Sequence, residues 1–196
     1  KMFLAVSRVK SKGGYTSTAI ANLKDLSKEA KAAGAASVTI GLVQTGAHAG
    51  SILALQVFEN MSDIEAVYDT FASSKLYQEI LASDEIELTG RALLKMHHRQ
   101  RTSDDGKYMV LTKFEAETEM LGEAKAVMGL FMDNGAVGCA YGTFMAGSFV
   151  GHHLIGARYP SMQSIQGAYE AVSDNSEYQS AVSKAKISFR NILRLA

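Results

Sequence analysis

The sequence lacks an excess of charge, a second cysteine and any apolar run long enough to cross a bilayer. Lys plus Arg and Asp plus Glu each number 20 among 196 residues, so the formal net charge is zero. A nucleic-acid binder needs a basic surplus to neutralise phosphates, so none is expected as a partner. No stretch approaches the roughly eighteen consecutive apolar residues of a membrane helix, and no membrane partner is expected. The opening stretch KMFLAVSRVKSKGG has no small-residue cleavage site behind a longer hydrophobic region, and it reads as a strand rather than a signal peptide. The lone Cys139 rules out an internal disulfide and fits a reducing, cytoplasmic compartment. Within GAVGCAYG it reads as a small buried hydrophobe rather than a nucleophile. What the chain does have is apolar material: 47% of residues are hydrophobic and only 20% charged, which suits a well-filled core and not a disordered tail.

The chain also repeats itself. Gly34, Gly41, Gly46 and Gly50 fall on Gly135, Gly142, Gly147 and Gly151 at a constant offset of 101. Met61, Ile64, Tyr68, Tyr77 and Gln78 fall on Met162, Ile165, Tyr169, Tyr178 and Gln179 at the same offset. Upstream, LAVSRV at 4–9 pairs with MVLTKF at 109–114. The expected organisation is a first repeat over 1–96, a polar linker over 97–107 and a second repeat over 108–196. Each repeat reads as strand, helix, two strands, helix, strand. The strands are expected over 2–9, 36–45, 51–59 and 86–96, and again over 108–114, 137–146, 151–159 and 187–195. The first helix carries an apolar stripe, Ile20, Leu23, Leu26 and Ala30 in one copy and Leu121, Ala124, Met128 and Phe131 in the other. Gly34 and Gly135 sit where a left-handed residue ends a helix. The second helix is expected to start with Ser62 as N-cap and Glu65 reaching back, and to break near Ser73–Ser74.

The order βαββαβ is the split ferredoxin-like arrangement. Its sheet has helices on one face only, so the other face needs a cover. A duplicated unit supplies one, sheet against sheet, as an intramolecular pseudo-dimeric α+β barrel. The tandem units, with FENMSDIEAVY and SKLYQEI after the third strand, resemble the dimeric α+β barrel superfamily, which includes antibiotic-biosynthesis monooxygenases, EthD-like and NIPSNAP-like proteins, stress-responsive barrels and haem-linked enzymes. The resemblance implies a barrel whose interior holds a ligand. The superfamily's small oxygenases use a tryptophan near the pocket, and this sequence has none. Its haem-bound tandem members place a proximal histidine on a helix, and no expected helix here carries one. Both departures weigh against a monooxygenase and against haem without eliminating either; no cofactor is expected, haem being possible for the fold but unsupported by these residues.

Candidate site residues come from two patterns. His152 and His153 are adjacent on an expected strand, so they point to opposite faces and cannot share one metal; no metal site is expected. The first copy has Ser51 and Ile52 at these positions, which confines any histidine chemistry to the second half. His153 or His152 is the expected acid–base group. The second pattern is cations on strands. Arg8 aligns with Lys113, Arg158 lies on the third strand of the second half, and Arg190 on its last. The last strands alternate apolar residues (Ile187, Phe189, Leu193) with Arg190 and Arg194. The apolar set is expected under the helices and the cations toward the barrel, where they would hold an anion such as a carboxylate. His97, His98 and Arg99 read as a solvated connector.

The expected function is binding or transforming a small, mostly apolar molecule, carboxylate-bearing if the cations meet it, in a barrel chamber of about 300 Å³ or more. As an enzyme it would be a cofactor-independent oxygenase, isomerase or lyase. The alternative is a structural or stress-related interaction protein whose barrel is filled by side chains. A homo-oligomer is compatible with either.

Overall fold

The computed structural model describes residues 2–196. The first half runs β1 (Met2–Ser11), α1 (Thr16–Ala33), β2 (Ser37–Val43), β3 (Ile52–Phe58), α2 (Met61–Ser73), α3 (Lys75–Ala82) and β4 (Ile86–Arg101). The second runs β5 (Tyr108–Glu115), α4 (Leu121–Asp133), β6 (Gly138–Ala146), β7 (His153–Tyr159), α5 (Met162–Val172), α6 (Ser176–Ser183) and β8 (Lys186–Leu195). Both halves are ferredoxin-like units with the second helix in two pieces. Their strands close into one antiparallel barrel in the order β1-β3-β2-β8-β5-β7-β6-β4. Each half lends its last strand to the other: β8 pairs with β2, and β4 pairs with β6.

The local causes are those the side chains impose. Ala19, Leu23, Leu26 and Ala30 form the buried stripe of α1, and Gly34 ends the helix at φ 134° while its N–H is bonded to the last turn. The second helix breaks where Ser74, extended at ψ 123°, caps α3 through the Tyr77 amide. The N-cap of α2 is Asn60, which accepts from the Asp63 amide. Ser62, the expected cap, is instead the second helical residue, and its hydroxyl bonds to Asn60 Oδ1. The polar string after residue 96 differs from expectation too. β4 continues to Arg101, because Arg99, Gln100 and Arg101 pair with Ala140, Cys139 and Gly138 of β6, so half of the expected linker is strand.

Three apolar layers result. Ala5, Ile40, Ile52 and Phe58 face α1–α3; Val110, Phe114, Tyr141, Ile155 and Tyr159 face α4–α6. Val43, Leu55, Leu94, Leu111, Leu154 and Leu193 fill the lumen. The barrel has two unlike rims. The starts of β1, β2, β5 and β6 meet the ends of β3, β4, β7 and β8 at one, as Leu4↔Val57, Tyr108↔Arg194 and Arg101↔Gly138 record. Both hairpin loops, 44–51 and 147–152, sit at the other.

Candidate functional site

The lumen is mostly closed by leucines, and what remains is a cleft of ≈ 80 Å³ at the rim opposite the hairpins. Its apolar wall includes Leu55, Val57, Met96, Met109 and Leu154, and its polar mouth is formed by Arg99, Gln100, Arg101 and Arg158. Among the described residues the lumen falls short of the expected 300 Å³ chamber, because Leu94 and Leu193, essentially without exposure, occupy the barrel's middle. Strand alternation aims Arg158 inward beside Leu154 and Gly156. Its Nη2 donates to Thr39 Oγ1 at 2.6 Å across the barrel. Among the described residues no carboxylate lies within ion-pair distance of it, whereas Arg101 pairs with Asp104 at 3.2 Å. Burial first, then Arg101 and Arg99, push the Arg158 guanidinium down to about 10. It stays charged at neutral pH, but the direction says that it is short of negative company. By sequence alone Arg99 and Arg101 both belong to a solvated connector. The β6 pairing that brings both to this mouth leaves no mark in composition.

The four expected anion-holding cations are not brought together. Arg8 lies at the hairpin rim and donates to Thr89 Oγ1 at 3.0 Å. Lys113 lies at the same rim in the second half, only 4% exposed. Its Nζ stands 3.0 Å from His152 Nδ1 and 3.7 Å from the centre of the Phe149 ring. Arg190 is on the helix side, donating to Thr112 Oγ1 at 3.1 Å and to the Tyr178 hydroxyl at 3.3 Å, with its guanidinium 4.8 Å over the Tyr169 ring. Arg91 repeats this clamp in the first half, on Ser7 and over Tyr68. The assignment of faces on the last strand is therefore reversed for Phe189, Leu193 and Arg190, while Ile187, past a bulge, lies on the helix side as expected. Phe189, Leu193 and Leu195 belong to the lumen, and Arg190 goes under the helices because its flat cation stacks on a tyrosine there.

The histidine pair is split as strand geometry requires. His152 precedes β7 at the rim, where Glu115 Oε1 stands 3.4 Å from its Nε2. His153 is 6% exposed and faces the helices. Its Nδ1 shares a 2.7 Å hydrogen bond with the Tyr141 hydroxyl, and its ring stacks on Phe114 at 4.9 Å. His97, bulged out of β4, bonds to Thr143 Oγ1 at 2.8 Å and lies 5.4 Å from the Tyr141 ring. Desolvation is the first cause that lowers the pKa of both His153 and His97. It also raises the Tyr141 phenol to about 12, with Glu119 and Glu123 adding to the shift. The first half holds Ile40 and Ile52 where the second holds Tyr141 and His153, all four buried. Duplication thus provides an internal control: a polar pair has replaced an apolar one at the same depth of the same fold. Tyr159 is a further case. It replaces Phe58, is fully buried, and its hydroxyl has no hydrogen-bond partner.

A sequence profile for a domain of unknown function, DUF6854, matches residues 1–96 and again 106–195. The chain belongs to that family. No curated protein matches this DUF6854 chain. Solved structures share its fold at low identity. A monooxygenase candidate from Lactobacillus acidophilus superposes with a TM-score of 0.67 at 12% identity, over 100% of this chain and 93% of its own. A chlorite dismutase point mutant from Candidatus Nitrospira defluvii gives 0.60 at 8%, over 99% and 90%. A heme-binding protein from Thermus thermophilus gives 0.61 at 9%, over 99% and 90%. The fold is thus that of the dimeric α+β barrels. The expectation that no cofactor belongs here is corrected by the last of these, since a haem binder is built on the same frame.

Proposed function

We propose that the protein binds a small, mostly apolar carboxylate at the open rim of its barrel. The carrying observation is Arg158: inward-facing, half-buried, bonded to one hydroxyl and flanked by two more arginines with no acid of its own. A buried guanidinium without a counter-ion is costly, and a carboxylate meeting its planar fork bidentately removes that cost. The cleft of ≈ 80 Å³ has room for on the order of five to eight water-sized groups, so the ligand's apolar part is short. It would lie against Leu55, Met109 and Leu154, with its carboxylate toward Arg158 and Arg99. Neither His152 nor His153 lines this cleft, so the reading rests on the arginines.

A second reading has its own support: with Leu94, Leu111, Leu154 and Leu193 packing the lumen, the barrel is a structural element and binds nothing. Haem, which the Thermus neighbour raises for this frame, is poorly matched by the second half as it stands. His153 is the buried histidine on its helix side, but Nδ1 is bonded to Tyr141 and the ring is stacked on Phe114. The nearby opening between sheet and helices is ≈ 50 Å³, against roughly 300–1,000 Å³ for pockets that enclose larger ligands.

Calorimetric titration with butyrate and benzoate, against butanol and benzyl alcohol, tests the first reading, and native mass spectrometry of the purified protein adds bound ligand and oligomeric state. The carboxylates should bind about tenfold or more tighter than the alcohols, the worth of a charge-assisted hydrogen bond, and Arg158→Met should abolish the preference. Equal affinities, or none for any probe, would favour the filled barrel.

A further inference from the structure

The hairpin rim of the second half holds an arrangement that the first half lacks. Lys113 aligns with Arg8, His152 with Ser51 and Glu115 with Lys10. The strand registers agree with that alignment, since Val9↔Ile52 and Phe114↔His153 are equivalent pairs. Only in the second half do these positions form a chain of amine, imidazole and carboxylate. Lys113 Nζ lies 3.0 Å from His152 Nδ1, and Glu115 Oε1 lies 3.4 Å from His152 Nε2. With Lys113 donating at Nδ1, the imidazole proton sits on Nε2, facing the carboxylate. A nucleophile bonded to a base that a carboxylate orients is the general signature of an activated nucleophile.

The surroundings of the amine favour its neutral form. Lys113 is 4% exposed, with the Phe149 ring 3.7 Å and the Phe189 ring 5.7 Å from Nζ. Among the described residues no carboxylate reaches it within ion-pair distance. Desolvation lowers its pKa, opposed by Glu115. The cover over it is thin. Phe149 is 41% exposed and lies in a loop bracketed by Gly147 at φ 108° and Gly151 at φ 88°, touching Phe144 edge-on at 6.0 Å and His152 at 5.6 Å.

The geometry points to Lys113 as a nucleophilic lysine that condenses with an aldehyde or ketone carbonyl, with His152 and Glu115 handling the proton and Phe149 as the cap. The amine lone pair attacks the carbonyl carbon and a C–N bond forms. The carbonyl oxygen takes up a proton from water, and the nitrogen gives one to His152 Nδ1. The carbinolamine then loses its hydroxyl as water, protonated from His152, and the second nitrogen proton passes to the hydroxide left by the first step, leaving an imine. Amine plus carbonyl becomes imine plus water, and nothing is oxidised or reduced. This site lies at the opposite rim from Arg158 and does not depend on the carboxylate reading.

The test is reductive trapping of the whole protein with propanal and cyanoborohydride at pH 7, followed by peptide mass mapping. Exposed lysines are almost wholly protonated at that pH. Lys113 should acquire the propyl adduct about tenfold or more faster than Lys75, whose side chain is 91% exposed, in the wild type or, once the cap is removed, in Phe149→Ala. His152→Gln, checked for an unchanged melting temperature, should slow the labelling of Lys113 about tenfold or more, as loss of a general base does. Labelling of Lys113 no faster than Lys75 in both the wild type and Phe149→Ala overturns the proposal, and that comparison stands whether or not His152→Gln folds. A folded His152→Gln that labels Lys113 at the parental rate also overturns it.

Discussion

Removing one hydroxyl from the buried pair of the second half should cost more than removing both polar groups. The Tyr141 hydroxyl and His153 Nδ1 share a hydrogen bond at 2.7 Å, and the two rings lie within 10° of parallel. Tyr141→Phe keeps the ring and strands a buried imidazole nitrogen, which costs about 1–3 kcal/mol. His153→Leu strands the phenol instead, at a similar cost. In a chain of this length each kcal/mol moves the melting temperature by roughly 2–4 °C, so each single variant should melt roughly 2–12 °C lower. The double variant leaves nothing stranded. With apolar groups at both positions, like Ile40 and Ile52 in the first half, it should lie within about 1 kcal/mol of the wild type. Urea unfolding of all four proteins completes the cycle. The pH dependence gives a second readout. Because the folded pKa of His153 is lowered, the unfolded chain alone binds a proton as pH falls below about 6.5. Stability is therefore whole above that pH and falls in acid by up to about 1.4 kcal/mol per unit, until the folded histidine titrates. The double variant should lose that slope and keep the one due to His97, whose pKa is also lowered. Strictly additive single costs, or an unchanged slope in the double variant, would refute the reasoning.

Tyr159→Phe should stabilise the protein by about 1 kcal/mol or more, since it removes a hydroxyl that is buried without a partner and restores the Phe58 of the other half; a lower midpoint in urea would show that the hydroxyl is satisfied. Gly50→Ala should cost about 1 kcal/mol, the strain of φ 92° alone, because a Cβ there meets nothing within 4 Å. Gly147→Ala should cost distinctly more, because its Cβ would also stand 3.0 Å from the Arg91 carbonyl oxygen and 3.2 Å from Ala92; equal melting temperatures for the two variants would contradict this.

The duplication was legible because the matched glycines are matched for backbone reasons. Gly34 and Gly135, Gly46 and Gly147, and Gly50 and Gly151 all hold positive φ. Gly41 and Gly142 lie at the two places where the halves join, where a Cβ would come within 3.0 Å of Leu193 or 2.8 Å of the Lys95 carbonyl. The inward face of the last strands was not legible. A filled barrel needs an apolar lumen as much as an apolar helix face, so alternation reports two faces without saying which is which. Arg190 settled under the helices because Tyr169, far off in sequence, gives its cation a ring to lie on. The site at the open rim was half legible. Arg158 could be found as a cation on an inner strand, but Arg99 and Arg101 read as linker until β6 paired with them. The separation of His152 from His153 followed from strand geometry alone, whereas their partners, Lys113 and Tyr141, needed the register.

The two joins between the halves are equivalent in the pseudo-dimer but unequal in length. β4 and β6 align over eight residue pairs, Leu93 to Arg101 against Ala146 to Gly138. β2 and β8 align over three, Gly41 to Val43 against Leu195 to Leu193. A closed ring must be unzipped somewhere before its inner surface meets water, and the shorter join holds fewer backbone bonds to break. The barrel should therefore breathe along one line, with the amide of Gln44, which donates to the Ile192 carbonyl across the short join, exchanging with solvent ahead of those that bridge β4 and β6. Such an opening exposes Leu193 and the leucine plug first, so the same short join sets both the route by which solvent reaches the lumen and the order in which the two halves part company on unfolding.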